Sequence, residues 1–109
     1  MDEKTLSRCR ERARIIKALA HPTRIFIVEA LAEREHCVCE LTTMIGADMS
    51  TVSRHLALLK SAGIIADDKR GLQVFYRLVT PCALGFIECV ESILEGNLCM
   101  QSKVLSYKR

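Results

Sequence analysis

Apolar residues recur along this chain mostly at the 3.6-residue period of a buried helix face. Leu6, Cys9, Ala13, Ile16 and Ala20 follow that spacing and predict an amphipathic helix over about residues 3–20. His21-Pro22 ends it, and the fixed φ of proline suits Pro22 to the first turn of a second helix. Ile25, Val28, Leu31 and Ala32 form the inner stripe of that helix. Glu40 to Ile45 predicts a short third helix, with Leu41, Met44 and Ile45 inward, followed by a turn at Gly46-Ala47-Asp48. A fourth helix spans about 50–61. Ser50 is its expected cap, Val52, Leu56 and Leu59 its inner side, and Gly63 its left-handed C-terminal residue. The period then shifts toward strands at Ile64-Ile65-Ala66 and Val74-Phe75-Tyr76-Arg77-Leu78, joined by a polar tip at Asp67-Asp68-Lys69-Arg70-Gly71. Thr80-Pro81 opens a last helix over about 81–98.

A short helix, a tight turn, a second helix and a two-stranded hairpin follow one another in the order of a winged helix-turn-helix. The expected fold is therefore mainly α with a small β-hairpin. The expected recognition helix is 50–61 and the wing 64–78. The second helix of such a pair enters the major groove and presents its early residues to base edges. Here those residues are Ser50, Thr51, Ser53, Arg54 and His55. Small hydroxyl side chains permit close approach, and Arg54 can pair bidentately with guanine or clamp a phosphate. Lys60 at the far end of the helix, Lys69 and Arg70 at the hairpin, and Gln73 beyond it complete the set expected to touch DNA, the cations through phosphates. The spacing of His55 from Val52 and Leu59 turns it partly inward, so core packing and phosphate contact are both open to it.

At 109 residues the chain reads as a single domain over 1–109. The net charge of +3 adds little to the nucleic-acid reading, which rests on where the cations lie. The last helix changes the picture more. Cys82, Phe86, Cys89 and Ile93, together with Ala83, Ile87, Val90 and Leu94, make its apolar face broad. A helix apolar over so much of its circumference needs contact on two sides, which predicts a homodimer through this helix and the first. No apolar run reaches the roughly 18 residues of a membrane span, and the N-terminal stretch is charged throughout. A cytoplasmic protein without membrane contact is the expectation, with its six cysteines as reduced thiols.

Cys37 and Cys39 stand just before the predicted third helix. Residues two apart inside a helix point about 200 degrees apart, but at an extended or just-starting helix terminus they can converge. The helix N-terminus favours thiolate, and thiolates favour soft ions. Free cysteines also pack as small hydrophobes, which is the main reading for Cys82 and Cys89, seven apart on one helix face.

Four segments carry a resemblance: Ala20-His21-Pro22-Thr23-Arg24, Cys37-Val38-Cys39-Glu40-Leu41, Ser50-Thr51-Val52-Ser53-Arg54-His55-Leu56 with Ala62-Gly63, and Gly71 through Val74-Phe75-Tyr76-Arg77-Leu78. Over roughly residues 12 to 95 the sequence resembles the ArsR/SmtB family of bacterial metal-responsive repressors. The cysteine pair resembles the signature of its arsenite-, antimonite- and cadmium/lead-responsive members. The resemblance implies a homodimer that binds double-stranded operator DNA and leaves it when an inducer binds. As(III) or Sb(III), which take three thiolates, are the first inducers implied, and Cd(II) or Pb(II) the alternatives. Two departures stand out. The third cysteine of the arsenite signature is replaced by Thr42. The positions comparable to the family's zinc ligands on the last helix are Thr80, Cys82, Ile93 and Gly96, so that zinc site looks absent. Cys9 is the first candidate for the third thiolate beside Cys37 and Cys39, by likeness to the family's cadmium/lead sensors, and Cys99 the second. A thiol-redox or persulfide sensor of the same fold is the second regulatory reading. An enzyme is not expected, because no CxxC pair or His/Asp partners surround a nucleophile.

Overall fold

The computed structural model describes residues 1–107, with side chains described through residue 96. Five helices and three short strands follow the chain: α1 (Glu3–Leu19), α2 (Pro22–Glu33), β1 (His36–Cys37), α3 (Val38–Ile45), α4 (Met49–Ser61), β2 (Ile65–Arg70), β3 (Gln73–Leu78) and α5 (Cys82–Tyr107). The mainly helical architecture with a wing agrees with the sequence pattern.

Local chemistry accounts for most boundaries. Asp2 caps α1 by accepting from the Thr5 N–H at 2.8 Å. His21 caps α2 through Nδ1, which accepts from the Thr23 N–H at 3.1 Å, and Pro22 occupies the first turn as expected. After α4 the chain turns at Gly63, whose φ is +84°. The Gly63 N–H donates to the Lys60 carbonyl and the Ile64 N–H to that of Leu59, at 3.0 and 3.1 Å. This is a Schellman stop, and its left-handed residue favours glycine.

Four expectations need correction. Asp48, not Ser50, caps the recognition helix: it accepts from the Thr51 N–H at 3.1 Å. Ser50 lies in the first turn and donates its hydroxyl to the Asp48 carboxylate at 3.3 Å. An Asp two residues upstream of a Ser offers two cap registers, and the carboxylate wins. The third helix starts at Val38, so Cys39 sits inside its first turn and Cys37 is its N-cap. The wing strands run to Arg70 and restart at Gln73, which places Asp67 to Arg70 in β2. Only Gly71 and Leu72 form the tip, and Gly71 takes φ +65°, a value that a two-residue hairpin needs. Finally, the sheet has three antiparallel strands in the order β1-β3-β2, because His36 pairs with Tyr76 and Cys37 with Phe75. A two-residue strand is too short to leave a period in the sequence.

The core lies between the helix-turn-helix and the root of the wing. Ile27, Val28, Leu41, Val52, Leu56, Leu59 and Ile64 are essentially sealed from solvent. They come from α2, α3, α4 and the start of the wing, so one cluster fixes all the parts that would meet DNA. By contrast α5 leaves Phe86, Val90, Ile93 and Leu94 exposed, and α1 leaves Ile16 exposed. A nearly apolar cavity of about 210 Å³ lies where these helices meet, lined by Ile16, Leu19, Ala20, Ile25, Phe86, Ile87 and Val90. No described helix is long and apolar enough to cross a membrane.

Candidate DNA-reading face and thiol site

The α4 face opposite Val52, Leu56 and Leu59 carries Ser50, Ser53 and Arg54, all exposed. Thr51 is half-buried behind them. The hydrogen bonds from Thr51, followed by that from Ser50, hold the Asp48 carboxyl below the usual aspartate range. The cap therefore stays charged and keeps the helix start fixed. Lys60 is exposed but donates to Asp67 on β2 at 3.0 Å. Lys69, Arg70 and Gln73 are exposed on the wing. Arg70 is the most committed of the nine. Its Nη1 and Nη2 donate to the two Glu35 oxygens at 2.6 and 3.1 Å, its Nε to Asp68 at 2.9 Å, and its guanidinium lies 4.7 Å from the Phe75 ring centre. A phosphate contact by Arg70 has to compete with those partners, whereas Arg54 and Lys69 carry no ion pair among the described residues.

His55 is half-buried beside α2. Its ring centre lies 4.4 Å from that of His21, and its Nδ1 is 3.5 Å from a terminal nitrogen of Arg24. Burial, and then the neighbouring positive groups His21, Arg24 and Arg54, push its pKa down. His55 is half-buried, so both roles the sequence leaves open, core packing and phosphate contact, stay open to it.

The thiol pair sits at the joint between the helix-turn-helix and the wing. Cys37 is buried, 6% exposed, and is held twice. Its backbone is paired with Phe75 of β3, and its N–H donates to Glu40 Oε1 at 3.1 Å. That second bond is the Glu40 half of a capping box. Glu40 in turn accepts from Arg34 at 3.1 Å. Arg34 first, and then the Cys37 N–H, hold the Glu40 carboxyl below its ordinary range. Cys39 is exposed and borders a surface cleft with Arg34, Glu40, Thr43 and Met44. Cys9 is exposed on α1, as are Cys82 and Cys89 on α5. Cys99 lies outside the residues whose side chains are described. Among the described residues, no three Cys, His, Asp or Glu side chains of one chain stand close enough to share an ion. Sequence reasoning missed Glu35, Glu40 and Asp48. Glu40 stands three residues after Cys37, the spacing of a capping box, but cysteine in place of Ser or Thr hides the signal.

A two-helix reader, a glycine-tipped wing and one core beneath both define a winged helix-turn-helix DNA-binding protein. The comparisons with known proteins give the family. Residues 21–67 match the profile of the bacterial regulatory protein, arsR family. The chain is 46% identical to the arsenical resistance operon repressor of Escherichia coli K12, over 87% of this chain and 80% of that protein. It is 34% identical to the biofilm growth-associated repressor of Xylella fastidiosa Temecula1, over 88% and 81%. It superimposes with a TM-score of 0.76 and 26% identity on the homodimeric winged helix-turn-helix DNA-binding domain of a possible ArsR-family regulator from Mycobacterium bovis, covering 90% of this chain and 91% of that one. The chain belongs to the ArsR family. It is a transcriptional repressor with a DNA-binding winged helix-turn-helix.

Proposed function

We propose that this repressor acts as a homodimer through α1 and α5 and leaves its operator when Cys37 and Cys39 bind a soft ion. As(III) or Sb(III) are the favoured inducers and Cys9 the favoured third ligand. The observation that carries this reading is the place of Cys37. It caps α3, the first helix of the helix-turn-helix, and at the same time pairs with β3 of the wing. Any ligand that moves this residue moves both parts of the DNA-binding unit.

The donor chemistry fits a soft ion, because the two thiols are close in sequence at a helix start. The described conformation keeps one thiol buried and the other exposed, with Cys39 inside the first helical turn. For both sulfurs to serve one ion, the buried Cys37 side chain has to turn toward the exposed Cys39, which disturbs the start of α3 that it caps. Release then follows from tighter binding of the ion to the DNA-free form than to the DNA-bound form. The DNA side of the proposal assigns base contact to Arg54 with Ser50, Thr51 and Ser53, and phosphate contact to Lys60, Lys69 and the wing. The similarity to an arsenical resistance repressor supports the choice of ion.

The test is release of operator DNA titrated separately with As(III), Sb(III), Cd(II), Pb(II) and Zn(II). Release by As(III) and Sb(III) at the lowest concentrations is expected, with Cys9→Ser weakening the response. Release by Cd(II) and Pb(II) alone would transfer the inducer role to those ions. Release by peroxide but by none of the ions would make the protein a thiol-redox sensor.

A further inference from the structure

α1 has two unlike sides. Ile16 faces the apolar cavity shared with α5, whereas Arg14, Lys17 and Ala18 line a cleft of about 370 Å³ with Arg24 of α2 and Leu58, Ser61 and Ala62 at the end of α4. We propose that this second cleft is a binding site for a phosphate-type oxyanion, held by Arg14, Lys17 and Arg24.

Three observations carry the assignment. The first is charge without compensation. Three cations from two helices line one cleft, and among the described residues no carboxylate lines it. The one ion pair in reach joins Arg14 to Glu11 at 3.4 Å, with the two side chains 53% and 70% exposed. A pair so open to water neutralises little. The second is the state of Arg24. Its Nε is buried and has no hydrogen-bond partner, and one terminal nitrogen has only the marginal 3.5 Å approach to His55. Buried donors are nearly always satisfied, and Arg24, a residue that lines the cleft, carries donor capacity that no described residue fills. The third is the position of Arg24 in the first turn of α2, a turn with no acidic residue. The positive end of a helix dipole disfavours a cation there unless an anion accompanies it.

Helix-end electrostatics explains only part of this cluster. Lys17 lies in the last turn of α1, where a cation is welcome for its own sake, but neither Arg14 nor Arg24 has that excuse. A tetrahedral oxyanion suits the set because guanidinium groups donate in pairs to its oxygens and the Ser61 hydroxyl at the rim can add a donor. Arg24 also touches His55 of the recognition helix, so an anion that draws Arg24 toward the cleft is sensed by α4.

The phosphate can come from the operator backbone, because the cleft flanks the recognition helix, or from a free phosphate compound. Two arms separate these sources on the full-length protein. In the first, inorganic phosphate is titrated without DNA at constant ionic strength against chloride, and amide resonances are followed. A saturable shift at Lys17, Arg24, Leu58 and Ser61 is expected for a free anion, weakened about tenfold in Lys17→Gln, the effect of one charge-assisted hydrogen bond. In the second, operator affinity is measured against salt for the Arg14→Gln/Lys17→Gln variant, whose substituted side chains are exposed and leave the core untouched. A fall of about one in the log–log salt slope, equal for unrelated sequences, identifies a backbone phosphate. The second arm rests on the DNA-binding role and the first does not, so a protein that fails to bind DNA still tests the cleft. A response in either arm supports the site and names its source. An unsaturable phosphate response together with an unchanged salt slope overturns it.

Discussion

Truncating Phe86 to alanine tests the dimer directly, and its size follows from exposure. Phe86 is 45% exposed on α5, next to Val90, Ile93 and Leu94 at 41, 55 and 60%. A phenylalanine offers about 200 Å² of burial, so roughly 90 Å² of Phe86 remains to be covered by a partner. At about 25 cal/mol per Å², that is roughly 2 kcal/mol for each copy. A twofold interface uses the residue twice, so the variant loses about 4 kcal/mol, or about a thousandfold in the dimer dissociation constant. Phe26 provides the control. It is 40% exposed, but on α2, where it borders a different cleft with Pro22, Thr23, Met44 and Ile45. Phe26→Ala removes a similar exposed area from a face outside the proposed α1/α5 interface. Sedimentation equilibrium from nanomolar to micromolar protein reads both variants against the parent. Equal dissociation constants for parent and Phe86→Ala, or a loss in Phe26→Ala as large as in Phe86→Ala, would refute the α1/α5 interface.

Arg54→Ala is expected to weaken operator binding by about 1–3 kcal/mol and to relax preference at one base position, read by anisotropy on single-base variants of the site. Lys69→Ala should weaken all sequences alike and lower the log–log salt slope by about one, in a titration over potassium chloride. Acidification should destabilise the fold through His55. Its folded pKa lies below the ordinary value of about 6.5, so the unfolded chain takes up the proton first. The stability this group contributes is full above the ordinary histidine range and is lost as pH falls through it toward the depressed folded value. Urea unfolding between pH 8 and 5 should show that decline, and His55→Gln should flatten it.

Much of this fold was legible because long helices leave long periods. The inner residues Val52, Leu56 and Leu59 and the stop at Gly63 locate the recognition helix from sequence within a residue. What stayed hidden depends on partners distant in the chain or on competition between neighbours. The strand at His36 and Cys37 exists only because β3 lies beside it. Asp48 and Ser50 are both good caps, and only the register of the helix chooses between them. The grip of Glu35 on Arg70 joins residues 35 positions apart, and neither side chain signals the other in the sequence. At the thiol site the residue types were readable, but the inequality of the two was not. The short α3 begins early enough to bury Cys37 as its cap and leave Cys39 outside.

In the proposed mechanism the cysteines at the start of α3 sense the inducer. Its most direct test is arsenite-driven release of fluorescent operator DNA from the parent protein and from Cys37→Ser/Cys39→Ser. Equal DNA affinity is expected for the two without arsenite, with release of the parent at a coupling of at least about 1–3 kcal/mol and retention of the double variant at every concentration that frees the parent. Release of the double variant at the parent's arsenite concentration would contradict it and move the sensing site to other cysteines.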